Sequence, residues 1–325
     1  MNFDYNEEQQ LLADSVRRYL QKDYEFEARK KILATPGGWS ERVWATFAEM
    51  GLTGLPLSPD YGGFGGGAVD LMSVMEAFGE ALVVEPYLPT VLASLVISRS
   101  GDEKQKQAIL PPVAEGKMRL ALATGERGVI GAPMADQVVL VRGSEVLIGK
   151  PVILKSYRTV DDLAAADIRL EKAERLNATA IEEVLDFGAA LSCAEAVGAM
   201  KFACDTTLEY LKTRKQFGVP IGAFQALQHR MVDMFIAHEQ AKSMACLACS
   251  KVDSSENAAD RARAVSAAKI KIADSARHIS QESVQLHGGM GMSEELKVSH
   301  TFRRLTVLLR RFGDIDHHLA RFASL

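Results

Sequence analysis

The sequence predicts a mainly α-helical fold with a small β domain in the middle, and three observations support this prediction. Apolar residues recur with a helical period over about the first 117 residues and again from about residue 178 onward. Short β-branched runs broken by glycine or proline occur between about residues 118 and 175. The chain has 325 residues, of which 47% are hydrophobic, so it is long enough to bury more than one core.

Residues 1–117 are predicted to form an N-terminal helical domain. Val16 and Leu20 lie on one face of a first amphipathic helix, and Val43 and Phe47 lie on one face of a later one. A glycine-rich stretch follows, and another apolar helical pattern comes directly after it. The domain is therefore expected to consist of helices joined by turns.

The glycine-rich stretch YGGFGGG, residues 61–67, has two interpretations. A phosphate-binding loop needs a lysine and a serine or threonine after its glycines, or a strand before them. Here helical patterns lie on both sides of the stretch. The sequence therefore favours a turn between helices over a phosphate loop.

Residues 118–175 are predicted to form a shortened middle β domain. The runs LALAT, QVVLVRG, SEVLIG and PVILKS are short, rich in β-branched residues, and separated by glycine or proline. This pattern is typical of a small antiparallel sheet.

Residues 176–325 are predicted to form a C-terminal helical bundle. Long alanine-rich helical segments occur at 178–212, 223–252 and 257–287, and a shorter one lies near 294–311. Helices of this length that follow one another and carry apolar stripes are typical of an up-and-down bundle.

The overall charge and the terminal sequence predict neither a nucleic-acid nor a membrane partner. The chain carries 38 basic and 42 acidic residues, a net charge of −4, which gives no general attraction for phosphate backbones or anionic lipids. The N-terminal stretch lacks a basic segment followed by an apolar core, and no apolar run approaches the roughly 18 residues of a membrane-spanning helix. These features predict a cytoplasmic location.

The cysteines and one pair of adjacent histidines are the residues to consider as redox or metal sites. Four cysteines are too few for a disulfide framework in a chain of this length. Cys246 and Cys249 form a CxxC motif inside an apolar helical run, which favours ordinary core thiols over a redox pair. His317 and His318 are adjacent and have no second cluster of ligands, so no metal site is predicted.

Three stretches of the sequence carry a resemblance to a known family. Gly101–Thr124 leads from the last N-terminal helices into the sheet, Tyr210–Met234 contains TRKQFG between two helices, and Gln281–Arg304 contains the glycine turn HGGMG. In this order and at this spacing, they resemble the acyl-CoA dehydrogenase family over most of the chain. The resemblance implies an N-terminal helical domain, a middle β domain that is shortened here, and a C-terminal four-helix bundle.

The resemblance assigns the second stretch to the binding of FAD across a subunit interface. Arg214 would clamp the diphosphate through its forked donors, and Gln225 would add an amide contact. Gln216 and Phe217 follow the arginine, and the phenyl group would cover a ring of the cofactor. Without the resemblance, an arginine before a loop is usually a solvated helix end.

The third stretch is implied to complete this grip on the diphosphate and adenine. The bare backbone at Gly288, Gly289 and Gly291 lets N–H groups approach an anion closely, and Gln285 lies about one helical turn before it. Without the resemblance, a glycine pair after a long helix is most often a helix cap.

The catalytic base of the family is missing from both of its known positions. Family members remove the α-proton of an acyl-CoA with a glutamate. The position in a Tyr-Glu-Gly-Thr motif falls here on Phe312, and the position on the first helix of the bundle falls on Gly188. Neither side chain accepts a proton. Asp186 and Asp314 are the alternative bases close to these positions in the sequence.

The sheet region also departs from the family. In relatives, a Thr-Glu-Pro loop and a Trp-Ile-Thr strand hold the isoalloxazine ring of FAD. This chain has Ala123–Arg127 at the first place, and both of its tryptophans, Trp39 and Trp44, precede the region. The ring-binding half of a flavin site is therefore expected to be absent.

Taken with the resemblance, these features predict a small or degenerate subunit of a heteromeric acyl-CoA dehydrogenase, for example a heterotetramer. The chain alone would be inactive and would contribute FAD contacts to the site of a catalytic partner subunit. That subunit would dehydrogenate an acyl-CoA substrate and pass electrons to an electron-transfer flavoprotein or similar acceptor. By analogy, steroid side-chain or dicarboxylyl esters are expected substrates. The alternatives are a self-sufficient homomeric dehydrogenase with a relocated carboxylate base, and a non-catalytic scaffold subunit.

Overall fold

The computed structural model describes residues 6–177, 179–255 and 257–325. The N-terminal helices are α1 (Glu7–Asp23), α2 (Phe26–Leu33), α3 (Glu41–Glu49), α4 (Ala68–Ala81), α5 (Tyr87–Ser100) and α6 (Glu103–Ala114). The strands that follow are β1 (Leu120–Ala123), β2 (Val129–Ile130), β3 (Gln137–Arg142), β4 (Glu145–Arg158) and β5 (Ala164–Leu176). A second helical series contains α7 (Ile181–Thr213), α8 (Gln225–Ser254), α9 (Ala258–His287), α10 (Lys297–Leu308) and α11 (Ile315–Ala323). The short strands β6 (Lys215–Gln216) and β7 (Val219–Pro220) lie between α7 and α8.

This order confirms the predicted fold class, mainly α with a small β domain. The predicted long helices coincide with α7, α8 and α9 to within a few residues at each end. Residue 178, where the sequence predicts the first of them to begin, lies outside the described residues, as do residues 1–5 of the terminal stretch.

Helix starts follow from capping residues that the sequence contains. The side chain of Asn6 accepts a hydrogen bond from the backbone N–H of Gln9, and the side chain of Gln9 accepts one from the backbone N–H of Asn6. Asp102 and Gln105 form the same reciprocal pair at the start of α6. Each pair satisfies donors that the first helical turn leaves without an intrahelical partner.

The sheet differs from the predicted antiparallel arrangement in one pair of strands. The strand order is β1-β3-β4-β5-β2, and β1 runs parallel to β3, whereas the other pairs are antiparallel. The connection from β1 to β3 passes through β2 at the opposite edge of the sheet, so the chain returns to β1 in the same direction.

The structure also differs from the predicted strands at β4 and β5. The runs SEVLIG and PVILKS form one strand, β4, because the register shifts between Ile148 and Lys150 and again between Ile153 and Lys155 let the ladder continue past Pro151. Strand β5 was not recognised, because its second half is polar and exposed and its order comes from pairing with β4.

The described chain divides into two compact units. Unit 1 contains the described residues of Met1–Phe26, Ala68–Leu82 and Ala189–Leu325, and unit 2 contains Glu27–Gly67 and Val83–Gly188. The three-domain division made from the sequence, 1–117, 118–175 and 176–325, stays a prediction.

Unit 2 is built around the sheet. Ala121, Val138, Leu140 and Ile168 belong to a buried apolar cluster of small and β-branched side chains. Oγ1 of Thr90 on α5 donates to the carbonyl oxygen of Leu120 over 3.0 Å. A buried hydroxyl of this kind satisfies a strand end and holds the helix to it.

Unit 1 contains a close helix crossing between α4 and α7. A Cβ atom added at Gly79 would lie 1.9 Å from the carbonyl oxygen of Glu195, and one added at Gly198 would lie 1.8 Å from that of Glu76. Neither distance is compatible with a carbon atom, so the crossing depends on glycine at both positions.

Among the described helices, α7 is long and apolar enough to cross a membrane by length and composition alone. The apolar stretch that meets this criterion is 89% buried within the protein, as in a core helix of a globular domain.

Candidate functional site

The segments that carry the two predicted cofactor motifs meet at one end of helices α7 and α9. Tyr210 stacks on His287, with ring centroids 4.4 Å apart and planes inclined by 27°. About one turn earlier on each helix, Oγ1 of Thr207 lies 2.9 Å from Oγ of Ser283. The arginine motif follows α7 directly and the glycine turn follows α9 directly, so these contacts bring both motifs to the same end.

An ion pair joins α8 to α9 near this end. Nε of Arg230 lies 2.5 Å from Oε2 of Glu282, and this bond raises the pKa of the arginine. Sequence reasoning missed Arg230, Glu282, Tyr210 and His287. Their only signal was position, since each lies within about two helical turns of a motif residue.

A tight hairpin presents the residues that follow α7. Lys215 pairs with Pro220 and Gln216 pairs with Val219, which leaves Phe217 and Gly218 at the tip. Both tip residues have positive φ, 53° and 84°, as a two-residue hairpin turn of this type requires.

Phe217 stands in a strained and exposed position at that tip. Its side chain is 90% exposed and makes an edge contact with Phe224 at a centroid distance of 6.1 Å. A phenylalanine with positive φ is held at a cost of order 1 kcal/mol, which is typical of sites where function constrains the backbone. An aromatic ring exposed in this way is suited to stack against a planar ligand.

The start of α8 offers free donors beside the hairpin. Phe224 is the N-cap and makes no side-chain capping bond, and Gln225 is the first helical residue. Arg214 and Gln225 are both exposed. A helix N-terminus without a capping side chain carries unsatisfied N–H groups and a partial positive charge, which favour an anion.

The glycine turn after α9 has the backbone that an anion site needs. Gly288 has φ 62° and ψ −146°, a conformation essentially restricted to glycine. A Cβ atom at Gly288 or Gly289 would meet no atom within 4 Å, so the backbone there faces open space. Gly291 is required for packing instead, since its Cβ would lie 2.5 Å from the carbonyl oxygen of Val284. Gln285 is exposed.

His287 is held neutral and in one orientation beside this turn. Its Nδ1 lies 2.8 Å from the carbonyl oxygen of Ser283, so Nδ1 is the protonated nitrogen that donates. Burial lowers the pKa of His287. The imidazole therefore serves as an uncharged platform for Tyr210.

These features fit the diphosphate of a dinucleotide. The exposed guanidinium of Arg214, the uncapped start of α8 and the bare backbone at Gly288 and Gly289 lie at one end of the same helices. Guanidinium forks and backbone N–H groups are the donors that proteins use for phosphate.

Phe312, which is predicted to occupy the first family position of the catalytic glutamate, lies in a tightly held turn. It has φ 58°, and its carbonyl oxygen accepts a hydrogen bond from Nε2 of His318 over 3.0 Å. Nζ of the buried Lys269 donates to the carbonyl oxygens of Leu308 and Arg311 over 3.1 and 2.6 Å. These polar contacts fix the turn. The phenyl side chain of Phe312 itself has no group that accepts a proton.

The carboxylates near this turn are engaged in other interactions. Asp314 caps α11 by accepting the backbone N–H of His317 over 3.0 Å, and this bond lowers the pKa of Asp314. Glu195 is buried against Arg304, with Oε1 2.6 Å from Nη1. The hydrogen bond to Asp314 stabilises the ionised form of that carboxylate and weakens it as a base.

Gly188 and Asp186, on α7, lie in unit 2. Both are buried, and Asp186 is 2% exposed. The glycine cannot act as a base, and the aspartate is buried.

A cleft of about 430 Å³ lies beside residues 314–316. Its charged lining consists of Arg277, Arg310, Asp314 and Asp316. Two cations and two anions give the cleft no net charge, so it has no general preference for a phosphate group.

In unit 2, the loop predicted to replace the family's ring-binding segment is closed by its own contacts. Glu126 forms an ion pair with Arg142. Oδ1 of Asp167 accepts from the backbone N–H of Gly128 over 3.0 Å and from the hydroxyl of Tyr157 over 2.7 Å. These polar groups are therefore directed to each other.

The glycine-rich stretch in the N-terminal region is a turn, as the sequence favoured. The backbone N–H groups of residues 63–66 donate to the carbonyl oxygens of Ser58, Gly54, Leu57 and Leu55. Donors that are used inside the turn are not available to a phosphate.

The cysteines lie within the helices of unit 1. Cys193, Cys204 and Cys249 are buried, Cys246 is partly buried, and burial raises the pKa of each thiol. This confirms the interpretation as core thiols. Within residues 6–177, 179–255 and 257–325, no group of three or more His, Cys, Asp or Glu side chains is arranged to hold a metal ion.

Comparisons with known proteins identify the family of the chain. The family model "Acyl-CoA dehydrogenase, N-terminal domain" matches residues 6–117, and "Acyl-CoA dehydrogenase, C-terminal domain" matches residues 178–321. The acyl-CoA dehydrogenase IpdE2 of Mycobacterium tuberculosis is 29% identical over 299 residues, which cover 92% of this chain and 91% of that protein.

Two solved structures share the fold. A Tcur3481-Tcur3483 steroid ACAD variant has a TM-score of 0.90 at 23% identity and covers 98% of this chain and 97% of that one. The ChsE4-ChsE5 complex from Mycobacterium tuberculosis has a TM-score of 0.90 at 20% identity and covers 100% and 98%. With both family models matched in the expected order, the chain belongs to the acyl-CoA dehydrogenase family.

Proposed function

We propose that the chain is a subunit of an FAD-dependent acyl-CoA dehydrogenase and contributes diphosphate and adenine contacts to the flavin site of a catalytic partner subunit. Arg214, Gln216, Gln225 and Gln285 supply side-chain donors. Gly288 and Gly289 supply bare backbone, and Phe217 covers the adenine. When bound, FAD accepts hydride from the β-carbon of the acyl chain.

One observation carries the proposal: the two predicted cofactor motifs lie at one exposed end of the α7–α9 helices. Phe312 is predicted to occupy the position of the family's catalytic glutamate. The first part supports a retained grip on FAD. The second supports the loss of proton abstraction in this chain, because a phenyl ring has no group that removes an α-proton.

The sheet supports a division of labour between unlike subunits. A loop closed by Glu126–Arg142 and by Asp167 is a poor cradle for an isoalloxazine ring. A chain that binds the diphosphate of FAD but not its isoalloxazine ring can complete a flavin site only with a partner that binds the ring.

Substrate and partner follow by analogy with the comparison structures. One is named as a steroid ACAD and the other as a complex of two differently named proteins. We therefore propose a heteromer, such as a heterotetramer, that acts on the CoA ester of a bulky side chain in lipid or steroid catabolism. An electron-transfer flavoprotein or similar carrier would accept the electrons, and the location would be cytoplasmic.

The visible absorption spectrum of the purified chain tests this proposal. If each chain supplies half of a flavin site, the chain produced alone should show no spectrum of bound flavin. The chain purified with its partner should show one. A full flavin complement on the chain alone would support the self-sufficient homomer. A mixed assembly whose flavin content does not depend on this chain would support the scaffold.

A further inference from the structure

Arg230 and Glu282 form their ion pair beside the proposed diphosphate site. Glu282 lies about one helical turn before Gln285, so the two side chains lie on the same side of α9. A carboxylate at this place would repel a diphosphate that approaches the glycine turn. Nε of Arg230 lies 2.5 Å from this carboxylate.

The ion pair contributes little to the stability of the fold. The two side chains are 37% and 22% exposed, and pairs this open to solvent contribute little to stability. Thr207–Ser283 and Tyr210–His287 already fix the end of α9 to α7 through buried contacts. An electrostatic role explains better why a charged pair is placed here.

We propose that Arg230 is a positioning residue for the cofactor, which neutralises Glu282 so that this carboxylate does not repel the diphosphate of FAD. This inference rests on the proposed function above. Two like unit charges about 9 Å apart, the helix rise from Glu282 to Gly288, change a binding equilibrium by roughly twofold in bulk water to twentyfold near a protein surface. The effect is screened by salt.

Three variants separate this role from a structural one. The tagged full-length chain is purified together with its partner subunit from the cells that produce it. FAD is then removed from this assembly, and the rebinding of FAD is followed by flavin fluorescence. Arg230→Gln is expected to weaken FAD binding roughly fivefold at low salt, and less at high salt. Glu282→Gln should bind FAD at least as tightly as the unchanged chain. The double variant should have an FAD affinity close to that of the unchanged chain.

Matched controls complete the experiment. Lys201→Gln removes a cation from the exposed Lys201–Asp205 pair on α7, 2.6 Å long, and should leave FAD binding unchanged. Arg230→Lys retains the charge and should restore most of the affinity lost in Arg230→Gln.

The outcomes distinguish this inference from the proposed function. Equal weakening by Arg230→Gln and Glu282→Gln, without recovery in the double variant, would show a structural tie and overturn the inference. Loss of affinity in Arg214→Ala with none in Arg230→Gln would also overturn it while the proposed function stands. Unchanged affinity in Arg214→Ala would remove the proposed function itself.

Discussion

The phenol ring of Tyr210 stacks on the imidazole of His287, with the ring centroids 4.4 Å apart. The tyrosine lies one helical turn before Arg214, and the histidine directly precedes Gly288. This contact between two helices brings two motifs far apart in the sequence to the same end of the helices, where we propose that they act on one ligand. This relationship connects the fold to the proposed cofactor grip.

Replacement of Arg214 tests that grip. Arg214→Ala removes a charge-assisted contact to the diphosphate worth about 1.5–3 kcal/mol, so FAD should bind at least about tenfold more weakly in the assembled enzyme. Flavin fluorescence gives the dissociation constant. Lys212→Ala is the matched control, because Lys212 pairs with Glu209 at 2.8 Å on the preceding turn. Equal FAD affinity in both variants would make Arg214 an ordinary solvated helix end.

The glycine crossing between α4 and α7 predicts a large effect on stability. In Gly198→Ala the new Cβ would lie 1.8 Å from a backbone oxygen of α4. The helices have to move apart, and we expect a loss of about 2–3 kcal/mol in the free energy of unfolding. Gly125→Ala, where a Cβ meets no atom within 4 Å, is the control in urea unfolding. Similar stabilities for the two variants would contradict the close crossing.

The buried His318 predicts a loss of stability in mild acid. Burial lowers the pKa of His318 to about 4, from an ordinary value of 6.5. The unfolded chain therefore takes up a proton on this side chain as the pH falls below 6.5, whereas the folded chain does so only near pH 4. Its contribution to stability is complete above pH 6.5 and is lost progressively as the pH falls towards 4.

Urea unfolding of the unchanged chain and of His318→Gln measures this effect. The histidine should account for about 2 kcal/mol of the stability lost between pH 7 and pH 5. Glutamine retains a donor for the carbonyl oxygen of Phe312 and does not titrate, so the variant should lose correspondingly less. The same pH dependence in both proteins would assign the acid sensitivity to other groups.

The missing base predicts which substitutions leave turnover intact. In the mixed assembly, Phe312→Ala should change acyl-CoA-dependent dye reduction little, apart from losses caused by instability. Asp186→Asn and Asp314→Asn should also retain activity, because neither carboxylate is proposed to move a proton. Removal of a positioned general base typically lowers the chemical step by ~10²–10⁴-fold. A loss of that size in either aspartate variant, with flavin and assembly retained, would identify a relocated base.

Much of the fold could be predicted because its signals are local. Helices α7, α8 and α9 carry long helical patterns, and capping residues such as Asn6 and Asp102 mark helix starts. The parallel pairing of β1 with β3 and the polar half of β5 depend on which strands become neighbours. Hydrophobic patterning does not contain that information.

The candidate site shows the same division. Arg214 and the glycines at 288 and 289 belong to contiguous motifs and were identified from the sequence as candidate cofactor residues. Tyr210, His287 and Glu282 were missed, because their roles depend on contacts between helices. The strain at Phe217 was missed for a similar reason, since nothing in its residue type indicates a positive φ.

The ratio of FAD to protein in the purified mixed assembly tests the central claim most directly. Flavin absorbance gives the FAD content, and native mass spectrometry gives the number of each chain in the same sample. If this chain contributes half of a flavin site to a catalytic partner, the assembly contains one FAD for each pair of unlike chains. One FAD for every chain of both kinds, or one FAD per copy of this chain without a partner, would contradict the account.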